Sequence, residues 1–199
     1  PGYTNRYMGA KDAFITRLNY CLTNVSVSTL LGYTNDDVAY KVFLTSDANN
    51  TYVYLTGYTQ STNFPVTENA YDTSQNGSKD VFLSYFQHSL TNLTASTYLG
   101  GSGDDVGYAL VLNAETNRVF VAGKSASGNF PVNPSAFQQF PSGGYNGFVS
   151  KFGAGLSYGT LKWRFNLDGS IAGPPTFASD GTIYITDDFG NLYAVSGEG

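Results

Sequence analysis

The sequence contains an internal repeat. Residues 29–65 match residues 97–131, from a shared Asp-Asp pair near the start to a shared Asn-Phe-Pro ending. The offset between the two copies changes from 68 to 66 positions, at the hairpin near Ala48. A period of this length indicates a repeat architecture, in which each unit buries its apolar face against the next unit.

The repeat is rich in segments that alternate apolar and polar residues, which is typical of half-buried strands. In the first copy the predicted strands lie at residues 12–18, 25–31, 38–44 and 52–56. A small hydroxyl residue recurs between large apolar residues, at Thr16, Ser84 and Ser150, and indicates a crowded inner position. No segment has helical periodicity of useful length, so the sequence predicts an all-β chain.

Four antiparallel strands in each unit predict tandem four-stranded blades, as in a β-propeller-type fold. The predicted organisation is about three blades plus one extra strand. Blade 1 spans about 12–59, blade 2 spans about 80–125, and blade 3 starts at about 146. Three blades do not close a ring, since propellers typically have about four to eight. We therefore expect completion by other copies or by further blades of a parent chain.

Residues 96–152 resemble the SBBP family of β-propeller repeats nearly throughout, and the residues before them match as one more unit and a partial one. From residue 154 to residue 199 the sequence is similar to PQQ-like, or quinoprotein-type, repeats, with Trp163 inside a GxLKWxF-like segment. We therefore divide the chain into an SBBP-like part, 1–153, and a PQQ-like part that completes blade 3 and starts a further blade.

Both resemblances imply a propeller. The first also implies a secreted or cell-surface scaffold or interaction module without a shared enzymatic activity, and the second implies that Trp163 packs between adjacent blades. Phe64-Pro65 and Phe130-Pro131 recur in the loops of the two copies, and we predict that they anchor each loop to its blade.

Composition narrows the classes of function. The formal net charge is −5 and charged residues make up 13% of the chain, so nucleic acid is not an expected partner, because binding phosphates needs clustered Lys and Arg. No apolar run is long enough to predict membrane insertion. Abundant Tyr, Thr, Ser, Asn and Gly favour an extracellular or cell-surface location. The single cysteine, Cys21, is expected to be a small buried residue.

Two acidic pairs, Asp36-Asp37 and Asp104-Asp105, follow glycine-rich turns. Calcium is one hypothesis, since this cation binds clustered carboxylates and carbonyls. The alternative is a turn in which the first Asp caps backbone N–H groups. The turn is favoured because it recurs in each repeat, whereas ligand sites usually do not. Calcium is the single cofactor candidate.

Three features that could indicate catalysis have structural interpretations. The glycine run at 100–103 lacks the helix and the lysine of a phosphate loop. The Asp-Phe-Gly at 188–190 lacks a kinase catalytic loop, and we interpret it as a turn between blades. His88 has no repeated partner for a triad or a zinc site, so we expect a surface or strand-end residue. We predict no enzymatic activity.

Two hypotheses of function follow. The first is a structural or interaction protein that self-associates or joins a larger assembly such as a filament, because open blades leave sheet edges and faces uncovered. The second is a carbohydrate-binding surface module that uses loop Asn and exposed Tyr side chains, with Tyr33, Tyr58 and Tyr98 as candidates. Asn-x-Ser/Thr sequons give candidate glycosylation sites at Asn24, Asn49, Asn76 and Asn92.

Overall fold

The computed structural model describes residues 3–46, 50–113, 118–132, 144–153, 156, 164–166, 175–178 and 182–196. Within these residues the prediction of an all-β chain is confirmed: there are thirteen strands and no helix. The strands are β1 (Ala13–Leu18), β2 (Val25–Leu31), β3 (Asp37–Ser46), β4 (Thr51–Thr59), β5 (Asp80–Gln87), β6 (Leu93–Leu99), β7 (Asp105–Asn113), β8 (Arg118–Ser125), β9 (Asn146–Gly153), β10 (Arg164–Asn166), β11 (Thr176–Phe177), β12 (Ile183–Thr186) and β13 (Leu192–Val195). No helix that could span a membrane occurs in this described part of the chain.

The strands form four sheets that follow one another along the chain. Sheet I is β1-β2, sheet II is β3-β4-β5-β6, sheet III is β7-β8-β9-β10, and sheet IV is β11-β12-β13. All the paired strands are antiparallel. Each sheet is therefore a meander, in which every strand pairs with its neighbours in sequence.

The grouping of strands into sheets differs from the predicted one. The predicted first blade, 12–59, combined β1 and β2 with β3 and β4, whereas hydrogen bonds join 37–99 into sheet II. The short link 32–36 carries the chain from one sheet to the next, and the long loop 60–79 returns it to the adjacent strand. The prediction was wrong here because it treated the long loop as the connection between sheets. Loop length does not reveal which strands pair.

Consecutive sheets are held together by three buried apolar clusters, each with side chains from two sheets. The cluster between sheets I and II includes Ala13, Leu31, Val53, Leu55 and Phe82. The cluster between sheets II and III includes Tyr54, Leu83, Leu110, Val121 and Phe148. The cluster between sheets III and IV includes Phe120, Val149, Ile183 and Ile185. Both faces of the two four-stranded sheets thus carry apolar residues, which explains the nearly continuous burial of β4, β5, β6, β8 and β9.

The Asn-Phe-Pro elements hold the two equivalent loops onto their sheets. Phe64 is buried with its ring centroid 4.8 Å from that of Phe82, and Phe130 is buried 4.7 Å from Phe148. Tilted aromatic contacts at these distances add to the energy of burial. The prolines that follow, Pro65 and Pro131, are half-buried.

The recurrent hydroxyl position is crowded in sheet II and open in sheet I. Ser84 and Ser96 stand opposite each other in β5 and β6, are fully buried, and share a hydrogen bond of 2.7 Å. Thr16 and Ser28 make the equivalent bond of 2.8 Å in sheet I, but both are exposed. The same chemistry is therefore internal in one sheet and on the surface in the other.

Candidate functional site

An apolar cavity of about 580 Å³ lies between sheets I and II. Its walls include Phe14 from β1, Tyr40, Val42 and Leu44 from β3, and Val53 and Leu55 from β4. Large apolar side chains exposed together in this way are typical of binding surfaces. We refer to this space as the sheet I cavity.

The cavity exists because sheet I has two strands where sheets II and III have four. By sequence, β1 and β2 correspond to β5 and β6, the third and fourth strands of sheet II. β5 pairs with β4 on its other edge, whereas no described strand pairs with that edge of β1. Phe14 is 68% exposed, whereas its counterpart Phe82 is fully buried in a cluster with Val53 and Leu55 of β4 and with Phe64. An unpaired edge beside an uncovered face favours the addition of strands.

A strained turn shows the same difference between the copies. Leu22, Leu90 and Leu156 all have positive φ, at 56°, 54° and 52°. This conformation is unfavourable for a residue with a β-carbon. Leu90 and Leu156 are each 1% exposed, so burial compensates the strain there, whereas Leu22 is 73% exposed. The end of sheet I therefore also lacks its cover.

A row of aromatic and cationic side chains lies near the starts of β3, β5 and β7 and the ends of β4 and β8. The ring of Tyr40 contacts those of Tyr58 and Tyr108, with centroids 6.1 Å and 5.3 Å apart. The Lys79 ammonium lies 5.2 Å from the centre of the Tyr58 ring. The Lys124 ammonium lies 6.0 Å from that of Tyr108. We call these five residues the tyrosine–lysine row. It offers aromatic faces and hydrogen-bond donors side by side, the chemistry that suits a polar ring-shaped ligand.

Two equivalent ion pairs border this row. Lys11 lies 2.7 Å from Asp36, and Lys79 lies 3.4 Å from Asp104. The hydrogen bond and the charge of Asp36 raise the pKa of Lys11. Partial burial opposes the charge of Lys79, but the Asp104 carboxylate outweighs it and the pKa of Lys79 also lies above its ordinary value. Both lysines are therefore cations at neutral pH.

The two residues of each acidic pair have different roles, and the one that caps the turn is not the predicted one. The second Asp of each pair, and not the first, caps the turn: Tyr33 N–H donates to Asp37 Oδ2 at 2.7 Å, and Gly101 N–H donates to Asp105 Oδ2 at 2.8 Å. The first Asp forms the ion pair with lysine. Burial raises the pKa of both Asp37 and Asp105. These carboxylates hold the links between sheets.

Glycine is required where two carboxylates enclose such a link. A β-carbon on Gly32 would lie 2.6 Å from Asp12 Oδ1 and 2.7 Å from Asp37 Oδ2, and Gly100 is enclosed by Asp80 and Asp105 in the same way. No larger residue fits at these distances. No group of three or more His, Cys, Asp or Glu side chains that could hold a metal ion occurs among the described residues.

Several predicted residues lie elsewhere than expected. Tyr98, predicted to be exposed, is fully buried and donates its hydroxyl hydrogen bond to the Ser61 carbonyl at 2.8 Å, because it faces the core of sheet II. Tyr58 is half-buried in the tyrosine–lysine row, and Tyr33 is 36% exposed. Cys21, predicted to be buried, is exposed at the uncovered end of sheet I.

The remaining candidates are placed as follows. His88 is exposed just after β5, and the 188–190 motif forms the turn between β12 and β13, within one sheet rather than between sheets as predicted. Asn24, Asn76 and Asn92 are exposed. The Nδ2 group of Asn76, however, donates hydrogen bonds to Asp72 and Ser74. Asn49 and Trp163 lie outside the described residues.

Sequence reasoning did not select the central members of the tyrosine–lysine row. Tyr40 and Tyr108 stand at equivalent places in the two copies, three residues after the second Asp of each acidic pair. That recurrence was the available signal. A large aromatic residue close to a link between two sheets can contact its counterpart in the next sheet, as Tyr40 contacts Tyr108. No known protein-family model matches the chain, and no curated protein does so either.

Proposed function

We propose that this chain is a non-enzymatic structural and interaction module whose serial antiparallel sheets are propeller-type blades. The proposal rests on one observation: Phe14 and Val42 are exposed around the sheet I cavity, whereas their counterparts in the next copy of the repeat, Phe82 and Leu110, are buried. Exposed apolar surface of this kind is stabilised by association. The sequence resemblance to SBBP-type repeats supports the blade assignment and an extracellular or cell-surface location.

The partner that suits the cavity is a sheet of the same kind, from another copy or from further blades of a parent chain. The internal repeat supports this choice, because the same apolar positions in sheet III pack against a neighbouring sheet of this very chain. The serial stacking of consecutive sheets supplies the matching shape. Residues 154–199 belong to this proposal as PQQ-like repeat sequence that continues the series.

The experiment is the solution mass of the chain, measured by light scattering across a dilution series. We expect a mass above the 21.4 kDa of one chain that falls on dilution. A mass of one chain at every concentration would refute self-association.

The tyrosine–lysine row supports a second candidate function, carbohydrate binding at the surface. Three tyrosine rings in contact, with lysines and aspartates beside them, present both stacking faces and hydrogen-bonding groups. Aromatic stacking on a sugar ring and polar contacts to its hydroxyl groups are the two requirements for such a site. Tyr98 is not part of this candidate, because it is buried.

A glycan-binding screen tests this candidate. We expect saturable binding that the Tyr108→Ala variant loses and that the Tyr20→Ala variant keeps, since Tyr20 is exposed and does not contact the row. Equal binding by both variants, or no binding across a broad panel, would contradict it.

A further inference from the structure

Sheet IV carries an aromatic side chain without the cover that its counterparts have. Tyr54, Phe120 and Tyr184 occupy the same place in the second strands of sheets II, III and IV. Tyr54 and Phe120 are 4% and 3% exposed, because each belongs to the cluster shared with the next sheet. Tyr184 is 40% exposed. One end of the molecule thus presents an aromatic residue that the repeat normally inserts into a neighbouring sheet.

The sheet I cavity has the residues that receive such a side chain. In sheet III, Leu110 and Val121 belong to the cluster that contains Tyr54. The equivalent residues of sheet II are Val42 and Leu55, and both line the cavity. The molecule therefore carries the inserting residue at one end and its receiving surface at the other.

The described strands of sheets I and IV are complementary. Sheet I contains strands equivalent to the third and fourth of sheet II, while β11 and β12 of sheet IV occupy the first and second positions. Placed beside β1 and β2, these two strands would give the complete order. In that arrangement β1 takes the position next to β12 that β13 occupies in the single chain.

We infer that two copies of this chain associate head to tail: β11 and β12 of one copy complete sheet I of the other, and Tyr184 fills the sheet I cavity. This inference rests on the proposed propeller-type module. Each copy contributes its sheets II and III, and the two copies share two composite sheets. The six sheets that result fall within the range of about four to eight that closes a propeller. Among the described residues of one chain, two sheets have the full four strands.

In the single chain β13 occupies the edge of β12 that β1 of the partner copy would take, so the two strands compete for this edge. In the single chain Asp187 accepts hydrogen bonds from Asn191 N–H and Nδ2, both at 2.8 Å, and from the Tyr193 hydroxyl at 2.9 Å. These bonds hold β13 against β12 and must break for β1 of the partner to enter. Association covers apolar residues in return, including Phe14, Leu18, Val42 and Leu44. The Asp187→Ala variant should therefore increase the dimer fraction, whereas a purely structural role for Asp187 would leave that fraction unchanged or lower it.

The first test compares dimer dissociation constants from light scattering. We expect the wild-type dimer to have twice the 21.4 kDa mass of one chain. Tyr184→Asp and Leu44→Asp each change an exposed residue, and each should weaken the dimer about tenfold or more, the effect of losing a central contact. Tyr20→Asp is the matched control: Tyr20 is fully exposed in the turn after β1, and its variant should dimerise as the wild type does.

The second test traps the composite sheet with a disulfide. In sheet III, Ala122 stands opposite Val149, and the equivalent residues are Thr186 of β12 and Ile15 of β1. In a Cys21→Ser background, which removes the exposed native thiol, the Thr186→Cys, Ile15→Cys chain should oxidise to a covalent dimer. The control carries Thr186→Cys with Leu192→Cys, which lie opposite each other within one chain. Its disulfide should form inside the chain, so that no covalent dimer appears.

The outcomes separate this inference from the proposed function. A dimer that the trap captures, and that Tyr184→Asp weakens, supports both. An assembly of another size, or one that the trap does not capture and Tyr184→Asp does not weaken, overturns the head-to-tail inference and leaves self-association standing. A single-chain mass at all concentrations overturns both.

Discussion

Phe14 in sheet I and Phe82 in sheet II occupy the same position of the repeat, yet one is 68% exposed and the other is fully buried. Both stand in strands with the same neighbour on one side. The difference comes from the other side, where β4 pairs with β5 and no described strand pairs with β1. Burial in this fold thus depends on the strands and sheets around a residue and not on the residue alone.

The largest expected effect is on this pair of phenylalanines. Phe82→Ala should lower the free energy of unfolding by about 3–5 kcal/mol, because it leaves a cavity in a closed core. Phe14→Ala should lower it by less than about 1 kcal/mol, since little of its surface is removed from water in the single chain. Urea unfolding at low protein concentration measures both. Equal losses would mean that sheet I is covered in solution.

The next effect is a dependence on pH that comes from Asp80. Burial, opposed by hydrogen bonds from the Asn76 and Gly77 N–H groups and aided by the Asp105 charge, raises the pKa of Asp80 from 3.8 to about 7. Between these two values the folded chain holds a proton that the unfolded chain has released. The free energy of unfolding should therefore fall as pH rises through this window, at up to about 1.4 kcal/mol per unit.

Asp80→Asn should remove that part of the slope, in urea unfolding series from pH 4.5 to 8. The variant should also lose stability at low pH, because Asn76 N–H and Gly77 N–H donate to different carboxyl oxygens and the amide has one oxygen. The comparison therefore rests on the slope. A wild-type stability that rises with pH through the window would contradict the raised pKa.

A smaller effect concerns the paired hydroxyl groups. Ser84→Ala leaves the buried Ser96 hydroxyl without this partner and should cost about 1–3 kcal/mol. Thr16→Ala breaks the equivalent bond in sheet I, where water replaces the partner, and should cost less than about 0.5 kcal/mol. The double variant Ser84→Ala, Ser96→Ala should recover part of the loss. Thermal unfolding of the wild type, Ser84→Ala, Ser96→Ala and the double variant gives the coupling. A loss of stability for Thr16→Ala as large as that for Ser84→Ala would contradict the difference between the exposed and the buried pair.

The smallest effect separates the two ion pairs. The Lys11–Asp36 distance is shorter than that of Lys79–Asp104, but the Lys11 side chain is 65% exposed and that of Lys79 is 31% exposed. Solvent screening therefore outweighs the shorter distance. Lys79→Ala, which also loses the contact with Tyr58, should cost up to about 1 kcal/mol, and Lys11→Ala should cost less. Chemical denaturation at low and high salt measures the two losses of stability. A larger loss for Lys11→Ala than for Lys79→Ala would contradict this prediction.

Local features were predicted well and long-range ones were not. The bounds of β2 coincide with the predicted 25–31, because alternation with a period of two is a local signal. The grouping of strands was wrong, because the link 32–36 crosses between sheets while the loop 60–79 does not. The sequence predicted uncovered sheet edges and faces. It did not locate the sheet I cavity or the tyrosine–lysine row, because both are formed by side chains from different sheets.

The sequence by itself determined the strands, the repeat, and which side of each strand carries large apolar residues, because these depend on short-range geometry that recurs with the residues. The tertiary structure decided which of those residues are covered. Tyr98 and Tyr40 are both tyrosines of the repeat, yet one is fully buried under the loop of Phe64 and the other stands half-exposed at the sheet I cavity. Whether a residue is covered depends on the next sheet in the series. The sequence of a strand does not reveal how many strands that next sheet contains.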